Sequence, residues 1–413
     1  MNPYMASKVT EYLEANKIKM VDLVSRLIEI PTVNPPGENY KEMVDFLERQ
    51  CRALGLATKR YITPKRFLQK YGLRSGSERI SLVSRWDTGA RKTLHINSHY
   101  DVVPATDKWA TDPFNAIIKK DRIYGRGSED MKGTMASVLF SLKALKALNI
   151  KPRINIELSF TPDEEIGGRT GLGYLVEKGL VKADYAMSEG YSDSYVSLGN
   201  KGVIWAEVTV EGKSAHASAP HKGVNAFERM VDLARELQRL KQKIENRKTQ
   251  YGMRESISRS PSLVMGGLLQ GGVKTNVVPG IAKFSIDRRL IPEENINDAK
   301  KEIKSVIDAF NRRYTDSRVR VKFISLEAPA ISRQDKVFFK TVSDAIKLIT
   351  GRNAMFRVMS GATDLRYFMW KGIPGLGYSA KGGEAWHSDN EFVHIGSLVS
   401  TAKVYSLIIS NLS

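Results

Sequence analysis

The amino-acid sequence predicts an α/β fold: a larger domain with a central, mostly parallel sheet flanked by helices, interrupted by a smaller α+β module. Three observations lead to this prediction. At 413 residues, the chain is longer than one ordinary hydrophobic core accommodates. Strand-like and helical segments alternate up to about residue 190, which is the order typical of parallel sheets. Beyond residue 200 two strand-like segments follow each other directly, which indicates a separate unit.

In the first part of the chain, apolar periodicity separates strands from helices. Thr93–Asn97 is strand-like and ends in a polar, Pro-containing turn, and Arg153–Phe160 alternates apolar and polar side chains as a strand does. Residues 131–148 carry apolar side chains at helical spacing, which predicts an amphipathic helix between these strands. Polar residues that can carry chemistry follow each strand directly, at the edge where α/β sheets bind ligands.

The second part of the chain predicts a strand–helix–strand–strand–helix module. Its strands are Val203–Glu211, Ser262–Leu269 and Ile281–Leu290. One helix spans about Val224–Ile244, and the second carries the apolar residues Ala299, Ile303, Val306, Ile307 and Phe310. The α/β pattern then resumes. We therefore predict one domain built from residues 1–200 and 323–413, with residues 201–322 inserted into it.

Composition excludes several classes of protein. With 42% hydrophobic and 26% charged residues, the chain is typical of globular proteins. Its single cysteine, Cys51, forms no internal disulfide and no thiolate metal site, and packing in a helix explains it better than a reactive thiol does. The N-terminus lacks the apolar region of a signal peptide, and no apolar run reaches the roughly 18–20 residues that span a bilayer. We therefore expect a cytoplasmic protein with no membrane partner.

The formal net charge of +19 leaves two interpretations open. One is binding of nucleic acid or a membrane surface; the other is attraction of anionic substrates, or simply a lysine-rich, solvated surface. The densest basic stretch runs from Arg235 to Arg259, on and after one predicted helix, and no nucleic-acid motif accompanies it. We therefore expect no nucleic-acid partner.

Histidine and carboxylate residues recur at the ends of the predicted strands. His99 and Asp101 lie two residues apart in extended chain, so their side chains point the same way and Asp101 can orient the His99 ring. A surface histidine beside a turn aspartate explains this pair equally well. Asp130 immediately precedes the predicted helix and is either its N-cap or a metal ligand.

Three further segments follow later in the chain. Asp163-Glu164-Glu165 comes directly after an apolar strand, and three adjacent carboxylates repel one another unless solvent or a cation relieves the repulsion. Glu189 ends another strand, and His387 lies in the polar run that ends at Glu391. The sequence contains no phosphate-binding loop, nucleophile elbow or His-Glu-x-x-His motif, which disfavours phosphate-loop, serine-hydrolase and simple zincin chemistry.

In this order and context, the segments resemble the metallopeptidase family of aminoacylase, acetylornithine deacetylase, succinyl-diaminopimelate desuccinylase and glutamate carboxypeptidase. The resemblance covers nearly the whole chain. Its motifs are His-x-Asp-Val-Val-Pro from His99, Gly-Arg-Gly-x-x-Asp-Met-Lys-Gly from Gly125, Asp-Glu-Glu-x-Gly-Gly from Asp163 and a late His-Ser at His387. It implies that the inserted module is a lid and dimerisation domain, a four-stranded sheet with two helices, and that the protein is a homodimer.

For the site, the resemblance implies a pair of divalent metal ions, zinc with cobalt or manganese as substitutes. Asp130 would bridge the two ions, His99 and Glu189 would complete the first, and Glu165 and His387 would complete the second. Mixed imidazole and carboxylate ligands suit these metals.

The resemblance also implies catalytic roles. Glu164 would be the general base, taking a proton from a water molecule held between the ions and delivering it to the leaving amine. Asp101 would be the partner of His99. His216, in the segment Gly212–Pro220, would come from the partner subunit and stabilise the oxyanion.

Substrate-binding residues follow from the same resemblance. Asn276 would bind the substrate, and Arg289 would hold its carboxylate through the planar guanidinium fork, with Arg288 as the alternative. Gly361 and Thr363 would line the substrate site.

The sequence thus predicts a metal-dependent amide hydrolase that removes the acyl group from an N-acyl amino acid, of the deacetylase or desuccinylase type. A metallocarboxypeptidase or dipeptidase is the alternative, because the machinery is the same and only the lining of the pocket differs. A binding protein that has lost catalysis is disfavoured, since Glu164 and all five candidate ligands are present.

Overall fold

The alternation of strands and helices is present in the computed structural model, which describes residues 3–73, 77–383 and 386–413. Its α-helices are α1 (Pro3–Ala15), α2 (Lys17–Ile28), α3 (Tyr40–Ala53), α4 (Lys65–Lys70), α5 (Gly133–Ala147), α6 (Leu172–Glu177), α7 (Ala226–Glu245), α8 (Ile296–Arg313), α9 (Lys336–Thr350), α10 (Arg366–Met369) and α11 (Ile395–Asn411). Its strands are β1 (Ala57–Ile62), β2 (Ile80–Trp86), β3 (Thr93–His99), β4 (Ile117–Lys119), β5 (Arg122–Tyr124), β6 (Asn155–Thr161), β7 (Tyr185–Tyr191), β8 (Tyr195–Asn200), β9 (Gly202–Glu211), β10 (Ala215–His216), β11 (Ser262–Gly271), β12 (Val277–Val278), β13 (Ile281–Leu290), β14 (Arg318–Glu327), β15 (Ala330–Ile331), β16 (Met355–Met359), β17 (Gly375–Tyr378) and β18 (Phe392–His394).

The chain divides into two compact units. The first comprises Met1–Gly199, Ser332–Phe356 and Thr363–Ser413, and the second comprises Asn200–Ile331 and Arg357–Ala362. The last long strand of the second unit, β14, therefore runs past residue 322, and a short later segment also belongs to this unit.

The first unit is built on a mixed sheet with neighbouring strands in the order β1-β2-β6-β3-β7-β17-β8. The predicted parallel arrangement holds for its centre, where β6, β3, β7 and β17 run parallel, whereas β1, β2 and β8 pair antiparallel with their neighbours. Every residue of β3, β6 and β7 is buried, as expected for strands covered on both faces. Because these strands are parallel, their carboxyl ends meet at one edge of the sheet.

Helix α5 packs against α11, and the Ser137 hydroxyl donates to the Leu398 carbonyl at 3.0 Å. The helix begins at Gly133, slightly later than the predicted residues 131–148. The preceding residues 128–132 form an irregular turn in which Asp130 has non-helical backbone angles (φ −120°, ψ 93°). The direction of the Asp130 side chain is therefore set by this turn and not by helical geometry.

The second unit contains the predicted α+β module. Its antiparallel sheet has the strand order β11-β13-β9-β14, and α7 and α8 pack against it. Burial alternates along β13, so Phe284 and Ile286 face the helices. Asn225 and Asn295 cap α7 and α8 by accepting hydrogen bonds from main-chain N–H groups. The four-stranded sheet with two helices is therefore present, although local patterning identified only three of its strands.

Two inferences from composition concern the helices. Cys51 lies buried in α3, where it packs as an apolar residue does. Across the described residues, every helix falls short of the length and apolarity needed to cross a bilayer.

Candidate metal centre

His99 ends strand β3 and is 1% exposed. Its Nδ1 lies 3.0 Å from the main-chain oxygen of Asp101, and since a carbonyl only accepts, Nδ1 carries the hydrogen of this bond. The other ring nitrogen, Nε2, faces two carboxylates, at 3.0 Å from Asp130 Oδ1 and 2.9 Å from Glu189 Oε2. The ring is thus held with Nε2 directed at acidic oxygens.

Asp101 supports His99 differently from the predicted side-chain contact. Its carboxylate lies 3.6 Å from His99 Nδ1, beyond hydrogen-bond distance. Instead, the carboxylate accepts hydrogen bonds from the main-chain N–H groups of Glu164 and Glu165, both at 3.2 Å, and from the Asn34 amide at 2.9 Å. Asp101 therefore orients His99 through its main chain and holds the Glu164–Glu165 turn through its side chain.

Asp130 is positioned by a buried carboxylate far away in sequence. Glu391 accepts hydrogen bonds from the main-chain N–H groups of Gly127, Glu129 and Asp130 at 2.9–3.1 Å. Arg126 pairs with Glu391 at 2.9 Å and donates to the main-chain oxygen of His387 at 3.3 Å. This network joins the loop that carries Asp130 to the loop that carries His387.

Two groups of side chains converge from these loops, each with its ligand atoms within 4.8 Å of one another. They are His99, Asp130 and Glu189 in the first, and Asp130, Glu165 and His387 in the second. In the second group, His387 Nε2 lies 2.9 Å from Glu165 Oε2 and 3.6 Å from Asp130 Oδ2. Asp130 belongs to both groups, one carboxylate oxygen facing each histidine. The structure therefore brings together all five predicted ligand residues.

The carboxylates of this cluster perturb one another strongly. Burial raises the pKa of Glu165 to about 7, and the nearby charge of Asp130 adds to the effect. Burial, together with the charges of Glu189 and Asp364, raises the pKa of Glu164 well above its usual range. The nearby Asp130 carboxylate, together with a hydrogen bond to Glu165, raises the pKa of His387 to about 10. The cluster therefore takes up protons unless another cation compensates its negative charge.

The donor set fits divalent cations. Imidazole nitrogens and carboxylate oxygens are the ligands of catalytic zinc and of its common substitutes. Both carboxylate oxygens of Glu189 are buried and make no well-formed hydrogen bond to the described residues, although His99 Nε2 approaches one of them closely. A buried carboxylate without donors is costly, and a cation between the converging atoms satisfies it.

Glu164 lies beside the cluster on the turn that follows β6. Two residues of α10 hold this turn. Arg366 donates to the main-chain oxygen of Gly167 at 2.6 Å, and the Tyr367 hydroxyl donates to the same oxygen at 2.5 Å. The Arg366 guanidinium also lies 3.9 Å from Glu164 Oε1. A Cβ at Gly168 (φ +62°) would meet Asp364 Oδ1 at 1.7 Å, so this close packing requires glycine.

Asp163, the first residue of the acidic run, does not join the candidate metal cluster. It is fully buried and pairs with Arg79, with Arg79 Nε 3.0 Å from its Oδ2. It also accepts from Asn34 and Tyr40 at 3.0 and 3.1 Å. Repulsion within the predicted run of three carboxylates is thus relieved partly by an arginine, which local sequence did not indicate.

The remaining predicted residues of the inserted module lie in the second unit. The exposed His216 is in β10, which pairs with β12, so its loop adjoins that of the exposed Asn276. The main-chain N–H of Ala217 donates to the main-chain oxygen of Asn276 at 3.0 Å. The His216 Nδ1 contacts the Ser218 hydroxyl at 2.7 Å.

The structure separates the two adjacent arginines of β13. Arg288 is fully buried and bound to Glu294 and Glu302 at 2.8 and 3.1 Å, which makes it a structural residue. Arg289 is about one-third exposed, pairs with Asp287, and lines a cleft together with Gly361. Thr363 lies in the first unit, is buried, and starts the turn that leads into α10.

Residues that sequence reasoning missed are mainly the arginines and the acid that hold the loops. Arg79, Arg126, Arg366 and Glu391 carry no periodicity that distinguishes them from surface charges. Arg126 is the one of these residues that the sequence could have indicated, since it lies between two glycines, four residues before Asp130.

Two histidine–carboxylate groups sharing one aspartate, at the carboxyl edge of an α/β sheet, define a metal-dependent hydrolase with a dinuclear type of site. The comparisons with known proteins agree with this class. The chain belongs to peptidase family M20/M25/M40, whose family model matches residues 95–411.

Relatives and solved structures match over nearly their whole length. The chain is 29% identical over 410 residues to an uncharacterized metallohydrolase of Methanocaldococcus jannaschii, covering 93% of this chain and 97% of the relative. It is 27% identical over 413 residues to aminoacylase-1 of Sus scrofa, covering 95% of each. An M20 family metallo-carboxypeptidase from Sulfolobus solfataricus has the same fold, with a TM-score of 0.77 at 20% identity, covering 95% of this chain and 99% of that one. The predicted resemblance is thereby confirmed.

Proposed function

We propose that this protein hydrolyses the amide bond of N-acyl amino acids and releases the free amino acid, with Glu164 as general base. One observation carries the proposal: the two ligand groups share Asp130, and Glu164 lies beside them, close enough for Glu189 and His99 to influence its pKa. The similarity to aminoacylase-1 over 95% of both chains supports the choice of substrate.

Five residues of the chain would hold the metal ions. His99, Glu189, Glu165 and His387 would hold two divalent ions together with the shared Asp130, zinc being the expected metal and cobalt or manganese its substitutes. When bound, such ions activate a water molecule and polarise the scissile carbonyl.

Glu164 would move the proton. Its carboxylate takes the proton from the attacking water and delivers it to the nitrogen of the leaving amine, so one group serves first as base and then as acid. The main-chain bond to Asp101 and the Arg366 guanidinium near Oε1 keep Glu164 in place between the two transfers.

Four further residues would bind the substrate, and His216 would stabilise the oxyanion. Arg289 and Asn276 would hold the substrate, with Gly361 and Thr363 lining its site, and His216 would donate to the oxyanion from the partner subunit of a homodimer.

The test is a substrate panel with metal-reconstituted enzyme, comparing N-acetyl and N-succinyl amino acids with dipeptides. We expect turnover of N-acyl amino acids and loss of about 10²–10⁴-fold in kcat for Glu164→Gln, the usual contribution of a general base. Metal content should stay near about two ions per chain, as expected for a dinuclear site. The exposed Glu177→Gln is the matched control and should behave as wild type.

Two results would contradict the proposal in different ways. Full activity of Glu164→Gln would exclude this residue as the base. Faster turnover of peptides with a free C-terminus than of any N-acyl amino acid would favour a carboxypeptidase or dipeptidase.

A further inference from the structure

A cleft of about 740 Å³ lies within the second unit, formed by the start of β9, the end of α7, the start of β11 and the segment near Gly361. Three cationic residues line it: Lys201, Lys248 and Arg289. Serine hydroxyls make up much of the remaining polar lining, including Ser260 and Ser360. We refer to these five residues and the space between them as the basic cleft.

Lys201 is unusual because its charge is buried without an acidic partner. The residue is 6% exposed, and its Nζ donates to the main-chain oxygen of Ser260 at 2.7 Å. Within the described ranges, no carboxylate oxygen lies within 4 Å of this nitrogen. Glu294, an acid near enough to influence Lys201, is already bound to Arg288 and Arg247 at 2.8 and 2.6 Å. A buried ammonium group that has only neutral partners is costly until an anion binds.

The other cations add to this excess of positive charge. Lys248 Nζ donates to the Ser260 hydroxyl at 2.6 Å, so both ammonium groups contact the same serine. Burial, together with the positive charge of Arg289, lowers the pKa of Lys201, which indicates that the cations repel one another. One acid, Glu245, also lines the cleft, but it lies 3.7 Å from Lys241 and does not balance three cations.

Arg289 offers a second, separate position for an anion. Its Nε and Nη2 donate to Asp287 at 2.8 and 2.9 Å, which fixes the plane of the guanidinium group. Nη1 makes neither of these bonds, so it can donate to one further carboxylate. The basic cleft therefore contains two kinds of anion position: the Lys201–Lys248 pair around Ser260, and the outer nitrogen of Arg289.

We infer that the basic cleft binds a ligand with two carboxylates, and that the preferred substrates are N-acyl derivatives of acidic amino acids. This inference rests on the proposed function. Arg289 would bind the α-carboxylate, and Lys201 with Lys248 would bind the carboxylate of the side chain. Lys201 and Lys248 would then determine specificity without taking part in the hydrolysis.

The kinetic test compares N-acetyl-glutamate with N-acetyl-glutamine, whose side chain is neutral, on metal-reconstituted enzyme. Wild type should prefer glutamate by about 10-fold or more in kcat/KM, since a charge-assisted hydrogen bond of ordinary strength supplies such a ratio. Lys201→Met and Lys248→Met should lose this preference, through a lower kcat/KM for N-acetyl-glutamate. Lys243→Met, an exposed change in the last turn of α7, should leave the preference intact.

A direct binding measurement separates this inference from the proposed function. Glutarate should raise the melting temperature of wild type and of Lys243→Met, but not that of Lys201→Met or Lys248→Met. If neither N-acetyl-glutamate nor N-acetyl-glutamine is hydrolysed while glutarate still gives this pattern of melting temperatures, the proposed function fails and the cleft assignment stands.

Other outcomes would overturn the inference. If N-acetyl-glutamine is hydrolysed as well as N-acetyl-glutamate and glutarate has no effect, the cleft assignment is wrong while the function stands. A response to inorganic phosphate but not to glutarate would contradict the carboxylate class. Because Lys248 is exposed, Lys248→Met keeps the test valid even if Lys201→Met fails to fold.

Discussion

The buried pair Arg79–Asp163 offers a test of how the turn that carries Glu164 is held. Arg79 is 2% exposed and Asp163 is fully buried, and the carboxylate also accepts from Asn34 and Tyr40. Replacing Arg79 by methionine removes the cation but leaves the carboxylate among neutral donors. Breaking a buried pair in this way costs about 3–5 kcal/mol, because an uncompensated charge stays in the interior.

The effect can be measured by thermal unfolding. For a unit of this size, about 2–3 °C of melting temperature corresponds to 1 kcal/mol, so Arg79→Met should lower the transition of the first unit by about 6–15 °C. Asp163→Asn should also destabilise, because it leaves the guanidinium buried without its carboxylate. The double variant should be about 1–3 kcal/mol more stable than the sum of the single changes predicts. Each single change leaves one buried charge without its partner, whereas the double change removes both charges.

A surface ion pair in the same unit provides the control. Lys340 and Asp344 are 2.8 Å apart, and both side chains are more than 40% exposed. Lys340→Met should cost only about 0.3–0.5 kcal/mol, as solvent-exposed helix pairs usually do. If Arg79→Met lowers the melting temperature no more than Lys340→Met, the charge on Asp163 is not compensated by Arg79.

The same change should affect catalysis below the melting temperature. Asp163 directly precedes Glu164, and the main-chain N–H of Gly168 donates to the Asp163 carbonyl at 2.6 Å. A displaced base is costly, since a misplacement of about 1 Å can reduce the rate by about 10²-fold. We therefore expect Arg79→Met to lower kcat while metal content stays near wild type. Wild-type kcat in the folded variant would contradict this coupling.

Three further predictions follow from other features. Mixed inactive chains of His216→Ala and Glu164→Gln should recover up to about a quarter of wild-type activity if a two-fold dimer completes each site with the partner's histidine; no recovery after subunit exchange contradicts that arrangement. Burial raises the pKa of the Cys51 thiol to about 12, so thiol reagents should label it only after denaturation, and prompt labelling of the folded chain would disprove the burial. Because the nearby Asp130 carboxylate and a hydrogen bond to Glu165 raise the pKa of His387 to about 10, zinc binding near neutral pH should release protons and tighten as pH rises; calorimetric heats that do not depend on the buffer would refute this.

The elements that surround the site were largely predictable because their signals are local. Strands β3 and β6 follow from continuous or alternating apolar residues, and α5 follows from its helical spacing. Strand β14 was missed by local patterning. It alternates arginine and lysine with apolar residues on a half-exposed edge, and it becomes a strand by pairing with β9, more than a hundred residues earlier in the chain.

Local sequence could not predict which of the two neighbouring arginines is buried. In β13, successive side chains point to opposite faces, so one of Arg288 and Arg289 had to face the module's interior. Which one did so depended on Glu294 and Glu302, the acids that receive Arg288, and on the cleft that leaves Arg289 accessible. Asp101 is a similar case, because main-chain N–H groups from the turn after β6 occupy the carboxylate that sequence assigned to His99.

The sequence by itself determined the kind of chemistry available: which histidines and carboxylates follow which strands, and the family to which their order belongs. Only the tertiary structure decided that Asp130 is shared by both ligand groups, that Glu391 and Arg126 join its loop to that of His387, and that Asp163 turns away to Arg79. The physical reason is range. Side-chain type and periodicity act over a few residues, whereas these contacts join positions from 31 to more than 250 residues apart, which only the packed chain brings together.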